Sequence, residues 1–197
     1  MKHTLLKAYS MKNLKIHTIE TAPAASKESL EQSLKAFGMV PNLHGVLAES
    51  PGLLEAYKQL HEWFVNASFN ADELTVVWQT INVEHECHYC VPAHTGIAKM
   101  MKVDDAITDA LRNETVLPSE KLEVLRETTL EIVRQRGRLT GATREKFFSV
   151  GYENKHLLDI ILGLSQKVIS NYVNHLAETP VDNGFVKFKW EKSVATH

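Results

Sequence analysis

The longest regular pattern in this chain is a series of apolar residues that runs from Leu157 to Leu176. Its members recur three or four positions apart, which is the spacing of neighbours along one side of an α-helix. The series contains Leu157, Ile160, Ile161, Leu164, Val168, Ile169, Tyr172, Val173 and Leu176. These positions cover more than one side of the helix. We therefore expect it to be central or to lie at an interface, and to end before Pro180.

Shorter segments with the same spacing fill the rest of the chain and predict an all-α protein. We expect helices at 26–37, 41–48, 53–65, from 70 onward, at about 87–101, and at 104–112, 119–136, 140–150 and 157–176. Their start and stop signals are Gly38, Ser50-Pro51, the capping-box pair Asn70 and Glu73, and Thr140. In the first helix, Leu30, Leu34 and Phe37 are expected to face the core.

The chain has no internal repeat, low-complexity tract or flexible linker, so we expect one domain. Residues 26–180 would form it as a helical bundle, between an N-terminal arm (1–25) and a C-terminal tail (181–197). In the tail, residues 185–190 alternate apolar and basic side chains. We expect this stretch to dock on the domain, because an isolated strand would have no partner. Met11 offers a second start, which would make residues 1–10 a dispensable extension.

The composition is that of an ordinary globular protein, with 44% hydrophobic and 23% charged residues. A formal net charge of −2 provides no concentration of positive charge for nucleic acid or for an anionic membrane. The early Leu5-Leu6 pair is too short for a signal peptide, and no run reaches the roughly 18 apolar residues of a membrane span. We therefore expect a cytoplasmic protein that binds neither nucleic acid nor membranes.

The only two cysteines of the chain, Cys87 and Cys90, stand three positions apart. A secreted disulfide scaffold would spread several cysteines along the chain, so this pair indicates redox or metal chemistry instead. Three of the ten histidines fall in the same short stretch, from His85 to His94. On a helix, the two cysteines lie one turn apart, and His94 follows Cys90 by one further turn on the same side.

This arrangement suits a reactive thiol. The first turn of a helix stabilises an anion through its free N–H groups and its dipole, which lowers the pKa of a cysteine placed there. His94 can accept the thiol proton and return it. Pro92 is tolerated only in the first turn of a helix, which places the helix start near Cys87.

Other interpretations of these residues remain open. The two cysteines can be inert buried residues, or they can bind zinc together with neighbouring histidines. The possible ligands are His85, Cys87, His88, Cys90 and His94, with His44, His61, His156 and His175 further away in the sequence. Tyr89, between the cysteines, either packs the helix or orients a substrate hydroxyl.

The run from Cys87 to Thr95 resembles the CxxCxxxH signature of the carboxymuconolactone decarboxylase superfamily, in its alkylhydroperoxidase D-like branch. The resemblance covers about residues 41–101, with weaker similarity at 171–176 and 179–182. It implies an all-α fold of the alkylhydroperoxidase D-like type, assembled as a homo-oligomer. It also implies that Cys90 attacks a peroxide, that Cys87 resolves the product, and that His94 relays the proton. A thioredoxin-like arrangement would instead make Cys87 the nucleophile.

One position departs from the family pattern. The family relay has a glutamate twelve residues before the first cysteine, and this chain has Thr75 there. A threonine hydroxyl cannot act as a base near neutral pH. Glu73, Glu84 and Glu86 are the candidates to supply the carboxylate. Glu73 is needed in the capping box, and of the other two we prefer Glu84, which can reach the site from the turn before the cysteines.

The function that follows from the resemblance is a thiol-dependent peroxidase with an antioxidant role. It would act on a hydroperoxide, use no bound cofactor and be reduced again by an external dithiol. One alternative is a lactone decarboxylase of the parent superfamily, which needs no CxxC motif. Another is a non-catalytic thiol redox sensor or metal-binding module.

Overall fold

The computed structural model describes residues 14–192, and within that range the chain forms nine α-helices and one 3₁₀ helix, without a β-strand. The helices are α1 (Ala24–Phe37), α2 (Asn42–Leu47), α3 (Pro51–Val65), α4 (Ala71–Glu84), α5 (Cys90–Met100), α6 (Asp105–Arg112), α7 (Glu120–Arg134), α8 (Gly141–Ser149) and α9 (Asn154–Ala177), followed by the 3₁₀ helix Asn183–Phe188. The all-α prediction is confirmed. Residues 1–10, the second start at Met11 and residues 193–197 of the predicted tail lie outside the described range.

Local signals place the helix ends where the sequence predicts them. Asn70 and Glu73 form both hydrogen bonds of the capping box, each 3.0 Å long. Gly38 ends α1 with a φ of 71°, a conformation that glycine adopts without strain. Ser119 and Thr140 cap the starts of α7 and α8 with their side chains. No helix in the described range is long and apolar enough to cross a membrane.

Helix α4 lies at the centre of the fold and is buried from Glu73 to Val83. One hydrophobic cluster joins it to α3, α7, α8 and α9, and its largest members include Phe64, Trp78, Leu125, Phe147 and Ile160. A second cluster joins α1, α2 and α3 to the cysteine segment. The two cysteines are therefore anchored in a hydrophobic core.

Helix α9 turns a polar side inward, which corrects the prediction from its apolar pattern. Its buried residues are mostly polar, whereas Leu158 is 70% exposed and Leu176 is 76% exposed. Small or polar side chains suit this contact because α3 approaches closely: a Cβ on Gly163 would lie 2.7 Å from the Phe64 ring. The prediction that this helix lies at an interface stays a prediction.

Helix α1 differs from expectation in a similar way. Leu30 is buried as predicted, but Leu34 and Phe37 are exposed. The side facing the protein is lined instead by small hydroxyl residues, including Ser26 and Ser33. Ser26 Oγ donates to the carbonyl of Ala48 at 2.7 Å, so small side chains let α1 lie close to α2.

The C-terminal segment is docked on the domain. Trp190 is buried and donates from Nε1 to the carbonyl of Arg112 at 2.9 Å. Arg112 in turn donates to the carbonyls of Phe188 and Lys189. Gly96 on α5 faces Phe185 so closely that a Cβ there would lie 2.4 Å from the ring. The docking expected for residues 185–190 is thus observed, as a 3₁₀ helix packed on α5.

Candidate active site

The two cysteines are adjacent, buried and reduced. Cys87 precedes α5, and Cys90 is its first residue, so the helix begins three residues later than predicted. Pro92 is accordingly the third residue of α5, within its first turn. The backbone N–H of Cys90 donates to Cys87 Sγ at 3.3 Å. Both side chains are free thiols, and Cys90 is only 2% exposed.

Helix α9 brings a row of polar side chains to Cys90. Lys167, Ser170 and Asn174 follow one another at helical spacing and are all buried; we call them the polar stripe of α9. Asn174 Nδ2 donates to Cys90 Sγ at 3.3 Å. The Ser170 hydroxyl makes only a long bond of 3.3 Å to the Lys167 carbonyl, so it can turn toward the sulfur.

Lys167 contacts His94 directly. Lys167 Nζ lies 2.6 Å from His94 Nε2, and both residues are buried. The Trp78 ring covers them, 4.8 Å from the His94 ring and 5.9 Å from the Lys167 nitrogen. None of the ion pairs formed within residues 14–192 includes Lys167. Its charge therefore faces the imidazole and the thiols without a carboxylate partner.

The pKa values of the two thiols move in opposite directions. Burial raises the pKa of Cys90, but the hydrogen bond from Cys87, the charge of Lys167 and the hydrogen bonds from Asn174 and Ser170 together lower it to about 6. The pKa of Cys87 is raised, because its thiol donates a hydrogen bond to Cys90 and because it is buried. Near neutral pH, Cys90 is thus the ionised thiol of the pair.

The two nitrogen groups also shift. Burial, reinforced by the charge of Lys167, holds the pKa of His94 well below 6.5, so the imidazole is neutral. Burial lowers the pKa of Lys167 to about 8, although the charges of Cys90 and Cys87 oppose this shift. At neutral pH the site therefore holds a thiolate, an ammonium and a neutral imidazole.

Glu84, the preferred candidate for the missing carboxylate, pairs with a different group. Arg134 donates to its two carboxylate oxygens at 2.8 and 2.7 Å. Among the hydrogen bonds of the described residues, none joins Glu84 to Cys90 or His94. Glu84 is thus placed in an ion pair that links α4 to α7.

The other carboxylates near the motif are also engaged elsewhere. Glu73 completes the capping box and pairs with Lys121 at 2.8 Å. Glu86 pairs with Lys192 at the surface. Thr75, at the position of the family glutamate, donates to the carbonyl of Ala71 on its own helix at 2.9 Å. The partner that reaches the imidazole is therefore Lys167.

Tyr89 fixes the segment between the cysteines. Its hydroxyl donates to Asp182 Oδ2 at 2.5 Å and accepts from the backbone N–H of Leu43 at 3.3 Å. Asp182 also accepts from the backbone N–H of Asn42 at 2.9 Å. Burial and the neighbouring carboxylate raise the pKa of Tyr89, so it stays protonated. The cysteine segment is thereby tied both to α2 and to the C-terminal segment.

The histidines considered as metal ligands have other partners. His85 bonds to Asn171, and His88 lies against Trp190. His44 bonds to Ser33 and His61 to Gln166. Within the described part of the chain, no three side chains of the His, Cys, Asp and Glu types converge in a way that could hold a metal ion.

A cavity of about 1000 Å³ opens beside the cysteine segment. His88, Thr179 and Trp190 are among the residues that line it. Thr179 is joined to the polar stripe of α9 by a bond from its N–H to the Asn174 carbonyl at 3.1 Å. Neither cysteine forms part of the cavity wall.

Sequence reasoning missed the polar stripe of α9 and Asp182. The signal for the stripe is present, because Lys167, Ser170 and Asn174 interrupt an apolar run at helical spacing. Asp182 has no comparable signal, since it follows Pro180 in a segment without periodicity.

No protein-family model matches this chain, and no curated protein sequence does. Two solved structures are similar to it. An alkylhydroperoxidase AhpD core described as an uncharacterized peroxidase-related protein, from Ralstonia eutropha JMP134, has a TM-score of 0.73 at 18% identity and covers 87% of this chain and 92% of its own. An uncharacterized peroxidase-related protein from Silicibacter sp. TM1040 has a TM-score of 0.74 at 17% identity and covers 91% and 97%. This likeness establishes the fold.

Proposed function

Because this chain has the fold of the alkylhydroperoxidase AhpD core, we propose that it is a thiol-dependent peroxidase that reduces hydroperoxides. Cys90 attacks the peroxide, Cys87 resolves the product and His94 relays the proton, while Glu84 stays outside the mechanism. The main support is the contrast between two adjacent thiols: Cys90 is ionised near neutral pH, and Cys87 stays protonated beside it. A thiolate nucleophile next to a second thiol is the pair that this reaction requires.

The proposed reaction has two steps on the protein. The Cys90 thiolate attacks the outer peroxide oxygen, the O–O bond breaks, and the departing alkoxide takes up one proton to become the alcohol. Cys90 is then a sulfenic acid. Cys87 attacks its sulfur, which forms the disulfide and releases water. An external dithiol reduces this disulfide and is itself oxidised, so the cycle consumes one hydroperoxide and one dithiol.

His94 is suited to moving a proton because it is neutral. Its Nε2 accepts from Lys167, so the ring proton lies on Nδ1. Among the described residues, His94 Nδ1 has no hydrogen-bond partner although it is buried. That N–H is therefore free to donate to a peroxide oxygen near Cys90.

We also propose that the chain forms a homo-oligomer through the apolar side of α9. Leu158, Ile161, Tyr172 and Leu176 are exposed on this helix, and exposed apolar patches mark interaction sites. Light scattering at micromolar concentration should give a mass above that of one chain, and Leu176→Glu should lower it. Regeneration by a dithiol needs a reducing compartment, so we propose that the protein acts in the cytoplasm.

One observation favours a second candidate, a thiol redox sensor that reacts without rapid turnover. Reactive cysteines are usually partly exposed, whereas Cys90 is 2% exposed and lies outside the wall of the neighbouring cavity. A sensor would form the same disulfide with peroxide but would consume little peroxide in the presence of excess reductant.

The test combines product mapping with turnover. One equivalent of cumene hydroperoxide should yield the Cys87–Cys90 disulfide within one chain, detected by mass spectrometry. Cys87→Ser should stop at a sulfenic acid on Cys90 that dimedone traps, and Cys90→Ser should not react. With excess dithiothreitol, the native protein should consume peroxide well above the rate of the Cys90→Ser control. Disulfides only between chains, or peroxide loss equal to that control, would overturn the proposal.

A further inference from the structure

We propose that Lys167 takes the place of the missing relay carboxylate: it is the counter-ion of the Cys90 thiolate and supplies, through His94, the proton for the departing alkoxide. This role rests on the proposed peroxidase function. It inverts the expected chemistry, because a carboxylate would hold the imidazole positively charged, whereas an ammonium keeps it neutral.

The burial of Lys167 requires an anion nearby. Its side chain is fully buried, and an uncompensated buried charge costs several kcal/mol. The titratable groups that face it are His94 and Cys90 on α5, Cys87 before α5, and His61 on α3. Neither imidazole can become an anion under these conditions. The charge of Lys167 is therefore balanced by a thiolate, and Cys90 is the thiol that ionises.

The surroundings of Lys167 hold it in place. The neighbouring Gln166 accepts from Trp78 Nε1 at 2.8 Å and bonds to His61 Nδ1 at 3.1 Å. The Trp78 and His61 rings stack at 5.6 Å, and Trp78 covers both Lys167 and His94. This wall leaves the Lys167 nitrogen directed at His94, so we assign it as a positioning residue that acts on Cys90 by charge and through His94.

The proton balance closes over one cycle. During peroxide cleavage, His94 gives its Nδ1 proton to the alkoxide and takes one from Lys167 at Nε2, so the products are alcohol, sulfenic acid and a neutral lysine. Disulfide formation then releases water without a net proton from the site. When the external dithiol restores two thiols, Cys90 passes its proton to the neutral lysine. This last step regenerates the thiolate and the ammonium.

The test measures the ionisation of Cys90, not turnover. In a Cys87→Ser background, the ultraviolet absorbance of the thiolate should titrate with a midpoint near 6. Lys167→Met should move that midpoint toward the ~8.5 of free cysteine, a roughly 30-fold loss of thiolate at pH 7. Lys167→Arg, which keeps the charge, should retain most of the thiolate. As a matched control, Lys58→Met removes a partly buried lysine that bonds to Ser29 and Gln32 and should leave the midpoint unchanged.

A reciprocal measurement avoids any lysine variant that fails to fold. If the two charges are partners, Cys90→Ser should lower the pKa of Lys167 below its value of about 8 in the native protein, as followed by NMR of the lysine side chain. An unchanged Cys90 midpoint in Lys167→Met, or an unchanged Lys167 pKa in Cys90→Ser, would overturn the assignment.

The two proposals can fail separately. A shifted midpoint in a protein that consumes no peroxide would leave the charge pair standing and remove the peroxidase. Peroxide turnover with an unshifted midpoint would do the reverse.

Discussion

Lys167 Nζ lies 2.6 Å from His94 Nε2, a contact between two basic nitrogens in the buried interior of the protein. Only one proton can lie between them. Because burial and the lysine charge hold the pKa of His94 well below 6.5, the ammonium donates and the imidazole accepts. The ionisation of the site is therefore divided between Lys167 and Cys90, with His94 neutral throughout the physiological pH range.

The first prediction concerns the pH dependence of peroxide reduction. Activity needs Cys90 ionised, which occurs above a pKa of about 6, and Lys167 protonated, which holds below a pKa of about 8. The rate of the first turnover should thus rise through pH 6, level off and fall above pH 8, with both apparent values belonging to the pair. Stopped-flow kinetics would measure it, and a rate that keeps rising above pH 8 would exclude a protonated Lys167 from the mechanism.

The second prediction concerns Asn174, whose amide donates to Cys90 Sγ. Asn174→Ala removes a hydrogen bond to a charged group, worth about 1.5–3 kcal/mol, and should raise the Cys90 pKa by roughly one to two units. Asn174→Asp is nearly isosteric and places a like charge beside the sulfur, so it should raise the pKa further. The thiolate absorbance in a Cys87→Ser background measures both. An unshifted midpoint in Asn174→Asp would show that this side chain does not face the thiolate.

The third prediction concerns the bond between Tyr89 and Asp182. Tyr89→Phe leaves a buried carboxylate without one of its donors and should lower the free energy of unfolding by about 1–3 kcal/mol. Urea denaturation would measure the loss. In a double-mutant cycle with Asp182→Asn, the two losses should sum to more than the loss in the double variant. Full additivity would mean that the two side chains do not interact.

The fourth prediction concerns the docking of the C-terminal segment on α5. A Cβ at Gly96 would lie 2.4 Å from the Phe185 ring, so Gly96→Ala should loosen this segment and cost about 1–3 kcal/mol. Trp190 should then become more accessible, which quenching of tryptophan fluorescence detects. Gly52→Ala is the matched control, because nothing lies within 4 Å of its added Cβ and alanine favours a helix. Equal effects of the two substitutions would contradict close packing at Gly96.

Much of the fold was readable from local sequence. The capping pair Asn70 and Glu73, Gly38 and Thr140 mark helix ends in the structure, because capping depends on residues only a few positions apart. The adjacency of the two cysteines follows for the same reason. The cysteine helix begins three residues late because Glu86, with a φ of 52°, reverses the chain after α4.

The sequence by itself determined the helices, their ends and the spacing of Cys87, Cys90 and His94. Only the tertiary structure decided which side of α9 faces inward, and hence which charge meets His94. Lys167 and His94 are separated by 73 residues, and their contact depends on how α9 packs on its neighbours. Glu84 lies near the cysteines in sequence, yet packing turns it toward Arg134. Helical periodicity records which residues share a side, whereas the partner of that side is chosen by the burial and charge of the whole domain.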